Sequence, residues 1–539
     1  MRGADLLVQT LALAGVTKIF SLSGNQIMPV YDACLDAGIE IIHTRHEGAA
    51  VFMADAWAQL TGEIGVCLVT AAPGAANAMG PLYSTRQSES PVLLLTGDSP
   101  RSQDGRGAFQ EFDQVAMTTP LTKMSLRVES AVTIGDAAAR AVRTALSGRP
   151  GPVHLALPFD VVEADASGTA LPDAQALVRE HSTMRRGDLS QVLEALASAK
   201  TPLVLCGPAM NATRQGSVLA ALHGALDAPV VAMESPRGLK DPSLGDFAKA
   251  LKQADLVVSL GKPVNFTLGF GATAVCGANC RWIVIDSEAS ELERARLNLT
   301  GRLLLEIEAC PLDAAGQLMD AGLGAGAGAR AVWCKQVATL IAARNFDVDA
   351  TGEDGKITSA QLVTAVQRQI QDAGDVVLVC DGGEFGQWAQ ACASAEERII
   401  NGPSGAIGGG LCYALAARAA RPTATVLALM GDGTAGFHFA EFETAARENL
   451  PFVAVIGNDA CWNAEHQIQL REYGKDRLIG CQLSDARYDQ AVAALGGHGE
   501  YVTALADLDA ALSRAVASGK VACVNVVIDG LPAPSGSVH

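Results

Sequence analysis

The sequence is short of positive charge: 40 Lys and Arg residues stand against 58 Asp and Glu, a formal charge of −18. Such a surface repels phosphate backbones, which excludes nucleic-acid or anionic-membrane binding by the chain as a whole. An anionic ligand would need a local device, such as a metal ion or a helix N-terminus. Also missing is any apolar run of roughly 18 residues free of charged and turn residues, so no membrane span is expected. No signal peptide is expected at the start, because Asp5 leads straight into an amphipathic Leu6, Leu7, Leu11, Leu13 pattern. The 13 cysteines are odd in number and irregularly spaced. Cys276 and Cys280 have no second pair or nearby histidine to complete a zinc site. Reduced thiols and a cytoplasmic location are the expectation.

What the chain has in quantity is apolar. AVILMFWYC residues make up 49% before the 55 glycines are counted, which rules out disorder as a global state. At ~150 residues per domain, 539 residues suggest three to four domains. Strand-like runs alternate with helical patterns throughout, the mark of parallel α/β layers. In the first third, strands are predicted at 18–22, 39–44, 65–70, 92–96 and 153–157, with helices at 27–37, 47–61 and 75–83. A polar linker covers 165–188. Strands at 202–206, 229–233, 256–260 and 282–286 form a second unit, and the Gly- and Ala-rich stretch 321–329 marks the next boundary. The last unit has strands at 376–380, 425–430, 452–457 and 522–528. The expected fold is α/β, three consecutive doubly wound parallel-sheet domains at 1–168, 187–320 and 355–539. The first and third share size and rhythm without a clear repeat in sequence.

The strand at 425–430 runs into Gly431-Asp432-Gly433-Thr434-Ala435-Gly436, and a helix follows from about 439 to 448. Formally this is GxGxxG between strand and helix, the context of a dinucleotide site and of an NAD-dependent oxidoreductase. Asp432 argues otherwise, because its carboxylate would face a bare pyrophosphate unless a cation lay between them. The next strand ends in Gly457-Asn458-Asp459 and offers a second hard oxygen ligand. Two such donors at the carboxyl ends of adjacent parallel strands suit Mg²⁺, with phosphate oxygens filling other positions.

This run, with Glu443 and Asn449-Leu450-Pro451 between, resembles the thiamine-diphosphate-binding motif; the interval from Asp432 to Asp459 is the motif's 27 residues. Asp459 stands where the motif usually has Asn. The resemblance implies Asp432, Asp459 and the main-chain carbonyl of Cys461 as Mg²⁺ ligands, with Gly433, Thr434, Trp462 and Asn463 near the diphosphate. In the first third, Arg45-His46-Glu47-Gly48-Ala49-Ala50, Pro73-Gly74-Ala75-Ala76-Asn77 and Gly107-Ala108-Phe109-Gln110-Glu111 resemble the pyrimidine-binding domain of acetolactate synthase and its relatives. This names the first domain pyrimidine-binding and the third diphosphate-binding, with a central Rossmann-like domain between them.

By the same resemblance Glu47 hydrogen-bonds the aminopyrimidine ring and promotes loss of the proton at C2, and Gln110 faces the substrate. Taken alone, an acid in a first helical turn is most often a dipole partner. The apolar Ala49, Ala50, Val51 and Phe52 around Glu47 would desolvate its carboxyl. His46 reads as structural. Gly24, Pro73 and Asn77 fall at the cofactor, Ile407 under its bend, and Gly383, Glu384 and Phe385 at the diphosphate end. Glu384 and Phe385 depart from the Gly-Gln-His common there.

The paired histidines of pyruvate-decarboxylase-type enzymes are absent. Leu157-Pro158-Phe159-Asp160 lacks the lysine usual in acetolactate synthases, and the segments that help hold FAD there are missing, so FAD is not expected. Gly261-Lys262-Pro263-Val264-Asn265-Phe266 resembles 2-hydroxyacyl-CoA lyases and oxalyl-CoA decarboxylases, while Phe112-Asp113-Gln114 and Leu157 to Asp160 resemble benzaldehyde lyase. With a short stretch after 528, a long C-terminal lid over a CoA ester is not expected. The resemblance implies a carboligase or lyase acting on small carbonyl substrates. It implies at least a homodimer, commonly a homotetramer, with active sites at the subunit interface. A 2-hydroxyacyl-CoA lyase, an oxalyl-CoA-type decarboxylase and a non-catalytic relative stand as alternatives.

Overall fold

Six strands, β1 (Lys18–Ser21), β2 (Glu40–His43), β3 (Gly65–Val69), β4 (Val92–Asp98), β5 (Ser125–Arg127) and β6 (Val153–Pro158), form the first sheet of the computed structural model. They are parallel throughout, in the order β2-β1-β3-β4-β6-β5. A second parallel sheet, ordered β11-β10-β9-β7-β8, takes β7 (Pro202–Cys206), β8 (Val230–Ala232), β9 (Leu256–Leu260), β10 (Arg281–Asp286) and β11 (Leu303–Glu308). The third takes β12 (Val376–Cys380), β13 (Glu397–Ile400), β14 (Thr425–Gly431), β15 (Val453–Asn458), β16 (His498–Val502) and β17 (Ala522–Val527). Its order is β13-β12-β14-β15-β17-β16, again parallel. The structure describes residues 1–323, 330–344, 346–349, 352 and 355–534. Most of the Gly- and Ala-rich boundary stretch and the last five residues of the expected third domain lie outside them.

Central strands such as β3 and β12 are buried along their whole length, because helices cover both faces of a parallel sheet. Alternate side chains then serve opposite cores. Val66 and Leu68 enter one, and Cys67 and Val69 the other. This second core is shared. Val377, Val379, Val426 and Ala428 of the third sheet reach it from the far side. Between the two sheets lie the helices Glu47–Thr61 and Gly410–Ala420, rich in alanine and nearly wholly buried, with Phe52 edge-on to Tyr413 at 5.4 Å. The middle sheet has its own pair of cores, and the helix Ala331–Ala342 adds Trp333 and Val337 to one of them.

Two arginines, Arg149 buried and Arg398 half-buried, join the middle sheet to its neighbours. Arg149 pairs with Glu89 and Asp286 and donates to the Gly261 carbonyl at 3.0 Å. Arg398 on β13 meets Glu234 at 2.7 Å.

Four strands that carry no long apolar run, β5, β11, β13 and β16, add to those predicted. The helix expected at 75–83 divides into Pro73–Asn77 and Met79–Gln87. Pro81 has no N–H to return to Asn77, so the ladder breaks there. The helix expected from about 439 spans Glu441–Arg447.

Candidate active site

Helix Glu47–Thr61 starts where it does because His46 caps it, Nδ1 accepting the Gly48 N–H at 2.9 Å. Glu47 is buried, and its Oε2 accepts from Asn77 Nδ2 at 3.0 Å. The absent side chain of Gly74 leaves room for this carboxylate, since a Cβ there would sit 3.3 Å from Oε1 and 2.8 Å from Thr70 Cγ2. Thr70 in turn donates to Gln26 Oε1 at 2.7 Å, and Gln26 Nε2 donates to Gln110 Oε1 at 2.8 Å. Gln110 is held at φ 59°, a strained setting for a residue with a side chain. Gly24 completes the group, with no space for a Cβ against Thr70. Gly24, Glu47, Asn77 and Gln110, with the helix opened by Pro73, therefore meet beyond the carboxyl ends of β1 to β4. This is the switch point of the sheet, where β1 lies beside both β2 and β3. Phe109, next to Gln110, is 72% exposed.

The equivalent edge of the third sheet forms a cleft of about 180 Å³. Gly383, Glu384, Phe385, Ile407, Asp432, Gly433, Thr434, Asp459, Cys461, Trp462 and Asn463, expected at a cofactor or metal, all line it. None of the expected residues of the first domain does. A cofactor-sized ligand needs upward of ~300 Å³, so this cleft by itself receives only part of one.

Asp432 and Asp459 directly follow the adjacent strands β14 and β15, and both titrate above the ordinary aspartate range. Burial raises Asp432 to about 6, with some relief from nearby main-chain N–H groups. Burial and the charge of Asp432 raise Asp459 to about 7. Asp432 Oδ2 is buried with no hydrogen-bond partner. A pair of hard oxygen donors, one orphaned, fits a divalent cation such as Mg²⁺. Among the described residues no three His, Cys, Asp or Glu side chains gather as a metal site, so main-chain and ligand oxygens would complete the shell. Trp462 covers Gly433, where a Cβ would meet its ring at 2.6 Å.

Other side chains in the cleft are already engaged. Thr434 donates its hydroxyl to the Gly431 carbonyl at 3.0 Å, and Asn463 Oδ1 accepts from Gln467 at 3.0 Å. Glu384 accepts the Ala533 N–H at 2.6 Å and Gln387 Nε2 at 3.1 Å, so its carboxylate anchors the C-terminal segment. Phe385 is buried, its ring packed against Gly457 behind the cleft. The loop after β14 makes only the four-residue helix Asp432–Ala435, not the long helix a dinucleotide fingerprint opens.

The part played by Asp381, and Arg237 altogether, was not legible from motif spacing. The buried Asp381 carboxylate accepts the N–H groups of Gly382 at 2.6 Å and of Gly408 and Gly410 at 3.0 Å each. It thereby ties the start of the helix Gly383–Cys392 to the loop of Ile407. Arg237, at the turn after β8, brings a cation into the cleft from the middle unit.

Residues 1–117 match the family described as thiamine pyrophosphate enzyme, N-terminal TPP binding domain, and residues 381–526 match its C-terminal TPP binding domain. The chain is 32% identical to a probable acetolactate synthase of Mycobacterium bovis, over 98% of this chain and 96% of the relative. The acetolactate synthase large subunit of Mycobacterium tuberculosis gives the same figures. The 2-hydroxyacyl-CoA lyase 2 of Caenorhabditis elegans is 29% identical over 99% of this chain and 91% of that protein.

Proposed function

This chain belongs to the thiamine pyrophosphate enzyme family, and from that premise we propose a thiamine-diphosphate- and Mg²⁺-dependent enzyme that makes or breaks a C–C bond next to a carbonyl. Its substrates would be 2-oxo acids or 2-hydroxy carbonyl compounds. The observation that carries the metal reading is the Asp432–Asp459 pair with its orphaned oxygen. Those two carboxylates and the Cys461 carbonyl would hold Mg²⁺, and Gly383, Gly433, Thr434, Trp462 and Asn463 would surround the diphosphate. When bound, the cofactor supplies the electron sink for charge developing beside the carbonyl.

The protein's share is placement and proton management. Asn77 occupies Oε2 of Glu47, which leaves Oε1 for the aminopyrimidine ring and a proton held there. Ile407 would support the bend of the cofactor. Gln110, steadied by Gln26, would face the reacting carbonyl. The separation of the two groups of residues supports a homodimer or a larger homo-oligomer in which one subunit's first domain meets its partner's third. Thirteen free cysteines suit a reducing compartment, the cytoplasm.

A second reading, a 2-hydroxyacyl-CoA lyase, is favoured by Phe159 standing where acetolactate synthases usually carry lysine. Assaying the protein against pyruvate, benzaldehyde, oxalyl-CoA and a 2-hydroxyacyl-CoA separates the two. Glu47→Gln should lower kcat by ~10²–10⁴-fold with the fold intact by circular dichroism. Near-normal turnover in that variant would remove Glu47 from the mechanism.

A further inference from the structure

The segment after Asp432 reaches out of its own domain. In the helix Glu441–Arg447, Glu441 is buried; its Oε1 accepts the Arg45 N–H at 2.9 Å and its Oε2 the Thr444 hydroxyl at 2.7 Å. Arg447 Nη2 donates to the His43 carbonyl at 2.6 Å, and Arg45 lies 3.5 Å from Glu443. His438 sets its ring edge-on to His46, centroids 5.6 Å apart, while Nδ1 meets the Gly408 carbonyl at 2.7 Å. These contacts converge on residues 43–46, the link between β2 and Glu47.

From within the first domain the link has less support. β2 ends at His43, and the helix begins at Glu47. Thr44 bonds back to Ser21, and His46 caps the helix, but the Arg45 N–H belongs to neither ladder. Its acceptor comes from the third domain, in the Glu441 carboxylate.

We propose that Glu441, assisted by Arg447, is a positioning residue for Glu47: by gripping the link it fixes where the helix starts and where the Glu47 carboxylate points. The inference rests on the reading of Glu47 as the residue that meets the cofactor. A displacement of about 1 Å at a reacting group costs on the order of 10²-fold in rate, so this grip has kinetic weight.

The test is amide hydrogen exchange in the cofactor-free protein, alongside kcat and calorimetric binding of Mg²⁺ with thiamine diphosphate. Glu441→Ala should speed exchange across residues 43–50 by ~10-fold or more without changing exchange in the rest of the chain. It should lower kcat by ~10–100-fold while the dissociation constant for the cofactor changes less than ~3-fold. Glu441→Gln keeps an oxygen for Arg45 and should restore both the exchange and the rate. Unchanged exchange at 43–50 in the alanine variant overturns the proposal, as does a rate loss that glutamine does not rescue. Should the alanine variant not fold, Arg447→Met, which frees the His43 carbonyl together with the Glu443, Thr444 and Glu448 side chains of its own segment, decides by the same exchange readout at residues 43–50. Full activity in Glu47→Gln would defeat the reading of Glu47 and leave the exchange result standing, so the two failures are distinguishable.

Discussion

Asp432 and Asp459 face each other at the ends of neighbouring strands, and this arrangement is costly until a cation arrives. In the unfolded chain an aspartate titrates near ~3.9. In the folded protein the two titrate at about 6 and about 7. Between those limits the folded state holds protons that the unfolded state has released, so stability falls as pH rises from ~4 through ~7. Above that range the whole cost is present. Asp432→Asn should therefore stabilise the cofactor-free protein at pH ~8 by ~2–3 kcal/mol, with the gain fading toward pH ~4. The same variant should lose Mg²⁺-dependent binding of thiamine diphosphate. Thermal unfolding at the two pH values, paired with calorimetry, checks both; a variant less stable than the parent at pH ~8 would show that the pair does not repel. Asp432 could be picked out from sequence because a carboxylate between two glycines after a strand is chemically odd. The part played by Asp381 could not, because a buried acid that accepts three main-chain N–H groups leaves no signature beyond its own letter.

At the scale of elements, the cleft depends on holding the start of the helix Gly383–Cys392 to the irregular stretch around Ile407. Asp381 supplies the hold, fixing Gly382 to Gly408 and Gly410. Asp381→Ala leaves these donors to find other partners, and each buried donor left unpaired costs ~1–3 kcal/mol. Binding of thiamine diphosphate with Mg²⁺ should weaken at least ~10-fold, which calorimetry would measure; unchanged binding would mean that the loops hold themselves. The strands legible in the sequence were mostly the central ones, which are buried on both faces and read as unbroken apolar runs. The four additions β5, β11, β13 and β16 all lie at sheet edges. β11 alternates Leu303 and Leu305 with Leu304, Glu306 and Glu308, and β13 opens with Glu397 and Arg398. An edge has one solvated flank, so its residues need not be apolar and its pattern fades.

For the whole molecule, the first and third sheets follow one strand order, β2-β1-β3-β4-β6-β5 and β13-β12-β14-β15-β17-β16. The sequence shows only a shared rhythm, since topology survives changes that erase identity. Each sheet places its expected residues at its own switch point, and within one chain those two groups do not meet in a single cleft. If each complete site takes one group from each subunit, two defective chains can repair one another. Mixing Glu47→Gln with Asp432→Ala chains under conditions that exchange subunits should recover about a quarter of the parental activity, because half of the dimers are mixed and each carries one intact site. No recovery despite exchange would place both groups in a site built from one chain. The edge strands have a further consequence for this molecule in a crowded solution. Unpaired strand flanks are templates for another chain's backbone, and acidic side chains along them deter that pairing. Glu306 and Glu308 along β11, and Glu40 on β2, mark out such borders on a protein already carrying −18. Replacing Glu306 and Glu308 together with threonine should leave catalysis alone and lower the concentration at which light scattering first reports aggregates; an unchanged onset would mean that the net charge alone keeps the chains apart.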